Sequence, residues 1–370
     1  MESSSEQKKL HEISGIKITP LLEAIMESLN MLGLLFSFIE YNNLISLKSL
    51  KKIDQVYFEK ILRMDKKNLL FKDTLVIVEE EAFAEGSSNK IYNLNIENIV
   101  LRVGEGNFIK YLLENYLHIV LFSYQQIIFN TRIFPNIYQL VYDKDELSMM
   151  CFMEKFDGTL YDLFLQRYFS DEYFFKKVLF QIACTLKLLQ DKIKFNHNDL
   201  KLDNIFYKKK VEGDISKDNI SLVLGDLGLS RFEIDTIEFS NNLKVLRDNN
   251  RNNKFIKGGD ILYFFLQLID LINKLGIEKY PQENEIVNKY FDYFKLEGFD
   301  YNNMTPIEQV VGETKDEDYQ RGFYPESIIE KLLDLGEDKS ECIELVDYEE
   351  YFKRKYLKYK RKYLLIKQKL

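Results

Sequence analysis

A short polar stretch, FNHNDLKLDNIFY from Phe195 to Tyr207, contains the side chains whose types and spacing best suit a chemical reaction. Asp199 and Asn204 are five positions apart, and Lys201 lies between them. A loop of this kind can place a carboxylate beside a hydroxyl nucleophile, a lysine near a transferred phosphoryl group and an amide oxygen on a metal ion. The alternative is an ordinary solvated turn. The segments before and after the loop help to decide between a catalytic loop and such a turn.

The composition describes a folded globular protein. The chain has 370 residues, of which 46% are hydrophobic and 30% charged, with 5 prolines and 16 glycines. This length suits one large two-lobed domain, or two domains, with an appendage. The formal net charge of −8 gives no global attraction for nucleic acid or an anionic membrane, so a local patch would have to supply one. Three cysteines without CxxC spacing and three histidines indicate neither a disulfide framework nor a zinc site.

The first residues do not have the pattern of a secretory signal or a membrane anchor. MESSSEQKKL lacks a basic region followed by an apolar run. The apolar segment from Leu29 to Ile39 is far shorter than the roughly 20 residues that span a bilayer, which favours a buried helix. Together with the cysteine usage, this predicts an intracellular, cytoplasmic protein without a transmembrane segment.

Hydrophobic periodicity divides the chain into a helical start, a strand-rich part and a helix-rich part. Apolar residues recur at three- and four-residue steps from Thr19 to Leu70, which is the helical period. From Asp73 onward, β-branched runs between turn signals predict three antiparallel strands. The further predicted elements are a helix at 107–131, two strands around the polar turn 143–146, a helix at 172–192, a helix from Asp260 and a basic helix at the C-terminal end.

The polar loop and the segments around it resemble the eukaryotic-type protein kinase superfamily in order and approximate spacing. HNDLKLDNIF resembles the catalytic loop of that family, HRDLKxxN. VLGDLGLSRF, which contains Asp226, is similar to the metal-binding DFG segment, and KGGDILYFFLQLI resembles the helix whose first aspartate, here Asp260, braces the catalytic loop. The resemblance extends from about Asp73 to Leu275. It implies an α+β, bilobal fold with a small antiparallel β lobe and a larger α-helical lobe.

On this basis we expect an N-terminal helical extension at 1–72, a kinase-like domain at 73–340 and a basic helical tail at 341–370. The domain would divide into a small lobe at 73–155 and a large lobe at 156–340. The tail is either a solvated helix or a contact for an acidic partner, nucleic acid or a membrane surface. Its sequence KYLKYKRKYL resembles tails on proteins of giant DNA viruses. If the protein is viral, this resemblance implies that it is located in the host cell cytoplasm or in the virion.

The resemblance implies a role for each chemical group of the loop. Asp199 would orient a substrate hydroxyl and accept its proton, and Lys201 would steady the γ-phosphate of ATP. Asn204 and Asp226 would hold Mg²⁺. ATP and Mg²⁺ are therefore the implied cosubstrate and cofactor.

The segment MMCFMEKFDGTLYDL resembles the hinge between the two lobes of a kinase. Met153 would be the gatekeeper, and backbone groups of Glu154 and Phe156 would face the adenine. Asp157 or Asp162 could reach the ribose.

The phosphate-binding part departs from the family pattern. AEGSSNKIY keeps Gly86 alone of the three glycines in the family's phosphate loop, and IVLRV puts Arg102 where the family has its phosphate-binding lysine. Arginine keeps the charge but is a larger, planar fork. The glutamate that usually pairs with this lysine is replaced by Gln125 or Gln126, or else Glu114 serves from an altered helix register.

Two further departures affect substrate and control. Lys90, on the strand after the glycine loop, could supply the displaced phosphate contact if its side chain faces the cleft. Asn198 replaces the arginine that grips a phosphorylated activation loop in many kinases, and no APE follows Asp226. The protein substrate is therefore the least defined part of the expectation.

Two functions follow from these observations. The leading hypothesis is a serine/threonine protein kinase, since Asp199, Asn204 and Asp226 are all retained. The alternative is a pseudokinase that acts as a nucleotide-binding or scaffolding module, and Arg102 with the reduced glycine loop motivates it.

Overall fold

The computed structural model describes residues 69–71, 74–85, 89–104, 108–128, 132–143, 148–210, 220–234, 237–240, 255–295 and 321–337. Residues 1–68 of the helical extension predicted at 1–72, Gly86 and the basic tail at 341–370 lie outside these ranges. The described part is an α+β structure in which an antiparallel sheet precedes a mainly helical region. None of its helices is both long enough and apolar enough to cross a membrane.

The first region is built on a five-stranded antiparallel sheet with the strand order β3-β4-β5-β7-β6. A separate short pair, β1 and β2, precedes it. The seven strands are β1 (Leu70–Phe71), β2 (Thr74–Leu75), β3 (Ala84–Glu85), β4 (Asn89–Asn93), β5 (Ile99–Gly104), β6 (Ile137–Asp143) and β7 (Ser148–Glu154). The strands predicted around 143–146 are confirmed as β6 and β7, and β3, β4 and β5 of the same sheet follow Asp73 as predicted. The run that begins at Thr74 forms only the two residues of β2, outside this sheet.

The two faces of this sheet have different neighbours, because successive side chains of a strand point to opposite faces. On one face Leu101, Val103 and Phe152 form a core cluster with Leu69 and Phe71. The rings of Phe71 and Phe152 are 5.1 Å apart between centroids. The chain therefore already packs on the sheet a few residues before the predicted domain start at 73.

Helix α1 (Phe108–Ile128) follows β5 and agrees with the helix predicted at 107–131. Leu117, Val120 and Leu121 on this helix are completely buried in the main core. The helix also contacts the short 3-10 turn at Leu227–Leu229 in the second region. It is therefore in a position to connect the sheet with the loop that contains Asp226.

The second region is dominated by helices around one long buried helix. Its elements are β8 (Gly158–Thr159), α2 (Leu160–Leu165), α3 (Glu172–Ile193), β9 (Ile205–Lys209), β10 (Ile220–Leu224), β11 (Arg231–Ile234), β12 (Ile237–Ser240), α4 (Gly259–Leu275), α5 (Pro281–Phe294) and α6 (Pro325–Asp334). The predicted helices at 172–192 and from Asp260 are confirmed as α3 and α4.

Helix α3 is buried on most of its surface and begins at a defined cap. The Asp171 side chain accepts a hydrogen bond from the Tyr173 N–H, which satisfies one of the free donors of the first turn. The ring of Phe175 on α3 contacts the rings of Phe265 on α4 and Tyr290 on α5. These aromatic contacts pack α4 and α5 against the first turn of α3.

Candidate active site

The hairpin of β9 and β10 brings Asn204 and Asp226 to the same end of a small sheet. Ile205 opposes Leu224 in the antiparallel register, so the residue before β9 and the residues after β10 are neighbours. The Gly225 N–H donates to the Asn204 carbonyl at 2.8 Å. Two residues that the sequence assigned to metal binding therefore lie on adjoining loops.

Asp199, Lys201 and Asn204 come together within the polar loop. The Asn204 side-chain amide Nδ2 donates to the Asp199 carbonyl at 2.8 Å and to Asp199 Oδ2 at 3.0 Å. The Lys201 Nζ lies 3.3 Å from the same Oδ2. The three predicted catalytic residues are thus joined by the hydrogen bonds of Asn204 to Asp199 and by the ion pair of Lys201 with Asp199.

Asp260 at the start of α4 holds the backbone of this loop. Its Oδ2 accepts from the His197 N–H and its Oδ1 from the Asn198 N–H, both at 2.9 Å. The Asn196 side-chain amide also donates to Oδ2 at 3.2 Å. Burial raises the pKa of Asp260, while His197 and these hydrogen bonds lower it in part. The predicted brace of the loop by Asp260 is confirmed.

The loop is also joined to the segment that follows Asp226. The buried His197 ring forms a hydrogen bond of 2.8 Å between Nε2 and the Gly225 carbonyl. The Asn198 side-chain amide donates to the Leu229 carbonyl at 2.9 Å. Asn198 therefore forms a structural contact at the position where the family has an arginine.

Asp226 is exposed and has a left-handed backbone conformation. Its backbone has φ 50° and ψ 65°, in the left-handed region that Asp tolerates better than most residues because its short side chain can bond locally. Its side chain is exposed and makes no hydrogen bond to another described residue. Strained backbone of this kind is concentrated at functional sites.

The oxygen atoms of Asn204 and Asp226 fit a hard cation such as Mg²⁺. The Asn204 hydrogen bonds to Asp199 use Nδ2 and leave Oδ1 for a ligand role. Across the part of the chain that the structure describes, no group of three or more His, Cys, Asp or Glu side chains could hold a metal. Mg²⁺ does not need such a group, because it is commonly held by one or two protein oxygens, water and substrate phosphates.

Arg102 is buried on β5 and pairs with α1. Its NH1 donates to Glu114 Oε1 and its NH2 donates to Asn115 Oδ1, both at 2.7 Å. Burial by itself lowers the pKa of Arg102, but the Glu114 carboxylate, with smaller effects from Cys151 and Asp226, raises it above the ordinary value. Of the partners considered from the sequence, Glu114 is therefore the one that pairs with Arg102.

Gln125 has a different role, so its predicted pairing with Arg102 is wrong. Its Oε1 accepts hydrogen bonds from the N–H groups of Ile133 and Phe134, each at 2.6 Å. Gln125 lies about three helical turns beyond Glu114, on the same face of α1 but too far along the axis to reach Arg102. The Gln126 side chain is not among those described.

Lys90 is on the wrong face of the sheet to replace the family's lysine. It opposes Val103 in the register of β4 and β5, whereas Arg102 opposes Ile91. Directly opposed residues share a face, and neighbours along a strand do not. The hypothesis that Lys90 supplies the displaced phosphate contact beside Arg102 is therefore not supported.

The predicted hinge contains a buried cluster around Glu154. The Glu154 carboxylate accepts from the Asn136 side-chain amide at 2.9 Å and the Lys208 Nζ at 3.0 Å, and it also pairs with Arg132. The Glu154 N–H donates to the Asn136 carbonyl at 3.0 Å. The side chain is thus engaged in this cluster, and the predicted adenine contact involves only the Glu154 backbone.

Phe156 follows this cluster and stacks on the first strand after the polar loop. Its ring lies 5.1 Å from the ring of Phe206, with the Arg132 guanidinium 5.3 Å above its centroid. No hydrogen bond joins the Phe156 N–H to another described residue. Met153 is buried on β7, opposite Val100.

The two aspartates proposed for ribose are already engaged locally. Asp162 forms a capping box with Thr159 at the start of α2. The Asp157 carboxylate accepts from the Lys209 N–H at 2.7 Å. Each carboxylate keeps further acceptor positions, since an ionised carboxylate has about four.

Three residues of the site were not identified from the sequence. Tyr263 on α4 donates a hydrogen bond from its hydroxyl to Asp199 Oδ1 at 3.0 Å. Asn196 exchanges hydrogen bonds with the Ile256 backbone, through Nδ2 at 2.7 Å and Oδ1 at 2.8 Å. Asn115 completes the partners of Arg102. The spacing of Tyr263 one helical turn after Asp260 was the one signal available for it.

The sequence has no match among protein-family models, and no curated protein is similar enough to indicate a relative.

Proposed function

We propose that this protein is a divergent protein kinase, which transfers the γ-phosphoryl group of ATP to a serine or threonine hydroxyl of a protein substrate. The observation that carries the proposal is the cluster in which Asn204 Nδ2 and Lys201 Nζ both approach Asp199 Oδ2, at 3.0 Å and 3.3 Å. A solvated turn has no physical reason to hold these three groups together.

In this proposal each residue of the cluster has one task. Asp199 orients the substrate hydroxyl and accepts its proton, while Lys201 stabilises negative charge on the γ-phosphate. Asn204 and Asp226 hold Mg²⁺, which when bound neutralises charge on the phosphates. The kinase-like bilobal fold belongs to the same proposal and is supported by the five-stranded antiparallel sheet followed by the helical region.

The nucleotide would lie between the sheet and the polar loop. Backbone groups of Glu154 and Phe156 would contact adenine, and Gly86 and its neighbours would cover the phosphates. Arg102 would contribute positive charge near the phosphates, on the side of Asp226, whose charge contributes to the raised pKa of Arg102.

The test uses the full chain with Mg²⁺, γ-labelled ATP and a generic basic protein. We expect the wild type to label itself or the basic protein, and Asp199→Ala to lower the rate by about 100- to 10,000-fold, the usual range for a lost general base. Asp191→Ala is the matched control, because Asp191 is an exposed carboxylate that pairs with Lys187 at the surface of α3. Equal background labelling by the wild type and Asp199→Ala would refute the proposed kinase activity.

A pseudokinase is the second candidate, and the contacts of Arg102 favour it. Two of the five N–H donors of the guanidinium are used by Glu114 and Asn115, so fewer remain for phosphates. Thermal shift with ATP, with and without Mg²⁺, separates the candidates. Metal-dependent binding that is lost in Asp226→Ala, together with no transfer by the wild type, would establish a nucleotide-binding module instead of a kinase.

A further inference from the structure

Helix α4 contacts the polar loop at two levels, one helical turn apart. Asp260 accepts from the backbone N–H groups of His197 and Asn198. Tyr263, which is 6% exposed, reaches the Asp199 side chain with its hydroxyl. Residues three apart share a face of a helix, so one face of α4 supports both the backbone and the carboxylate of this loop.

The hydroxyl of Tyr263 reaches a different oxygen of Asp199 from the other donors. Asn204 Nδ2 and Lys201 Nζ both approach Oδ2, at 3.0 Å and 3.3 Å. Tyr263 donates to Oδ1 at 3.0 Å. Because both oxygens are held, rotation of the carboxylate about its terminal bond would break at least one hydrogen bond. A hydroxyl–carboxylate bond is also stronger than a bond between neutral groups.

We infer that Tyr263 is a positioning residue for phosphoryl transfer: it fixes the orientation of the Asp199 carboxylate toward the substrate hydroxyl. The inference rests on the proposed kinase function. An ionised carboxylate has about four acceptor positions. Three are used by Tyr263, Asn204 and Lys201, and the remaining position lies on Oδ1 beside the Tyr263 hydroxyl. A substrate hydroxyl would therefore meet Asp199 at an oxygen whose direction Tyr263 sets.

The reaction step balances without any change in Tyr263. The substrate hydroxyl gives its proton to Asp199, and its oxygen forms a bond to the γ-phosphorus. The bond between that phosphorus and the β–γ bridging oxygen breaks, and ADP leaves with the electron pair. Tyr263 keeps its proton throughout, so it orients the Asp199 carboxylate and takes no part in the proton transfer. Catalytic groups must be held within about 0.5 Å of the productive position, and a buried helix is a suitable support.

The first test is Tyr263→Phe, which keeps the ring and removes the hydroxyl. We expect kcat to fall by about tenfold while the KM for ATP changes by less than about twofold, because orientation of the base affects the chemical step more than ground-state binding. Tyr290→Phe is the matched control. The Tyr290 hydroxyl likewise donates a hydrogen bond to a carboxylate, Glu172 Oε1 at 2.7 Å. This bond joins α5 to the start of α3 and does not involve the polar loop. The control should lose comparable stability and keep kcat.

The second readout does not depend on activity. In a protein labelled at asparagine side chains, the Asn204 amide signals are identified by their loss in Asn204→Ala. In Tyr263→Phe these signals should shift and their hydrogens should exchange faster with solvent, by about tenfold, since the partner carboxylate is no longer fixed. In Tyr290→Phe they should not change.

The two readouts separate the failure of this inference from the failure of the proposed function. If Tyr263→Phe has the kcat of the wild type, or if the Asn204 amide signals are unchanged, Tyr263 does not position Asp199. If the wild type transfers no phosphate, the kinase function fails, and the amide signals alone then decide whether Tyr263 holds the carboxylate.

Discussion

The Arg102 guanidinium donates to the Glu114 carboxylate at 2.7 Å and thereby joins strand β5 to helix α1. Both side chains are almost fully buried. Glu114 also packs against the 3-10 turn after Asp226, where a Cβ atom added at Gly228 would lie 2.9 Å from Glu114 Cγ. This single ion pair therefore links the sheet, α1 and the proposed metal-binding segment.

Loss of the Glu114 carboxylate should strongly destabilise the protein. Glu114→Ala leaves the buried Arg102 charge without its ion partner, and breaking one half of a buried pair typically costs about 3–5 kcal/mol in the free energy of unfolding. Urea denaturation measures this cost. The control is Glu85→Ala, because the Glu85 pair with Lys90 is long, at 3.9 Å, and exposed. A similar effect of both substitutions would contradict the central role of the Arg102 pair.

The neutral His118 should make the stability depend on pH. Burial, together with the charge of Arg102, lowers the pKa of His118 to about 3. Its unfolded value is about 6.5, so the unfolded state takes up the proton first as the pH falls. The stabilisation is complete above pH 6.5 and decreases toward pH 3, with a loss of about 2 kcal/mol at pH 5.

The measurement for His118 compares wild type and His118→Gln by urea denaturation at pH 7 and pH 5. Glutamine keeps an N–H that can donate to the Pro135 carbonyl, as the His118 ring does at 3.1 Å. The carboxylates titrate alike in both proteins, so the variant should lose about 2 kcal/mol less than the wild type on acidification. Equal losses would show that His118 is protonated in the folded state.

Removal of the Asp260 carboxylate should both destabilise the protein and disorder the polar loop. Asp260→Ala leaves the buried N–H group of His197 and the partly buried N–H group of Asn198 without their acceptors, at a cost of about 3 kcal/mol. Asp260→Asn retains one acceptor oxygen and should have an intermediate effect. Asp270→Ala on the same helix removes only a surface pair with Lys274 and serves as the control. The free energy of unfolding should be highest for Asp270→Ala, intermediate for Asp260→Asn and lowest for Asp260→Ala.

Gly225 should not tolerate a side chain while Phe206 is present. A Cβ atom at residue 225 would lie 2.1 Å from Phe206 Cε2, and that ring is itself stacked on Phe156. Gly225→Ala should cost about 1–3 kcal/mol through overpacking. Adding Phe206→Leu should recover part of this loss, so a double-mutant cycle should show favourable coupling. Additive effects of the two substitutions would mean that the backbone moves instead of the ring.

Local features of the sequence predicted much of this structure. The three- and four-residue apolar period located α3 and α4 closely, because each helix buries most of one side in the core. The strands around 143–146 were likewise predicted from strand-like runs on both sides of a polar turn. The contact of Asp260 with His197 joins residues 63 positions apart, so it was predicted from the resemblance to the kinase helix and not from a local pattern, and the structure confirms it.

Side-chain partners across the fold were harder to predict. Glu114 and Gln125 lie on the same face of α1, so periodicity alone could not decide which one meets Arg102. The answer depends on how far α1 is displaced along its axis relative to β5. In the same way, the face of Lys90 depends on the register of β4 against β5, and a shift of one residue would reverse it.

The reactive groups of the polar loop could be recognised from the amino-acid sequence, because Asp199, Lys201 and Asn204 lie within six consecutive residues and contact one another within that segment. The tertiary structure decided which distant groups support them, namely Tyr263 at Asp199 and Glu114 at Arg102. Such contacts depend on the rotation and displacement of whole helices, which follow from packing of the entire core and leave no short-range pattern in the sequence.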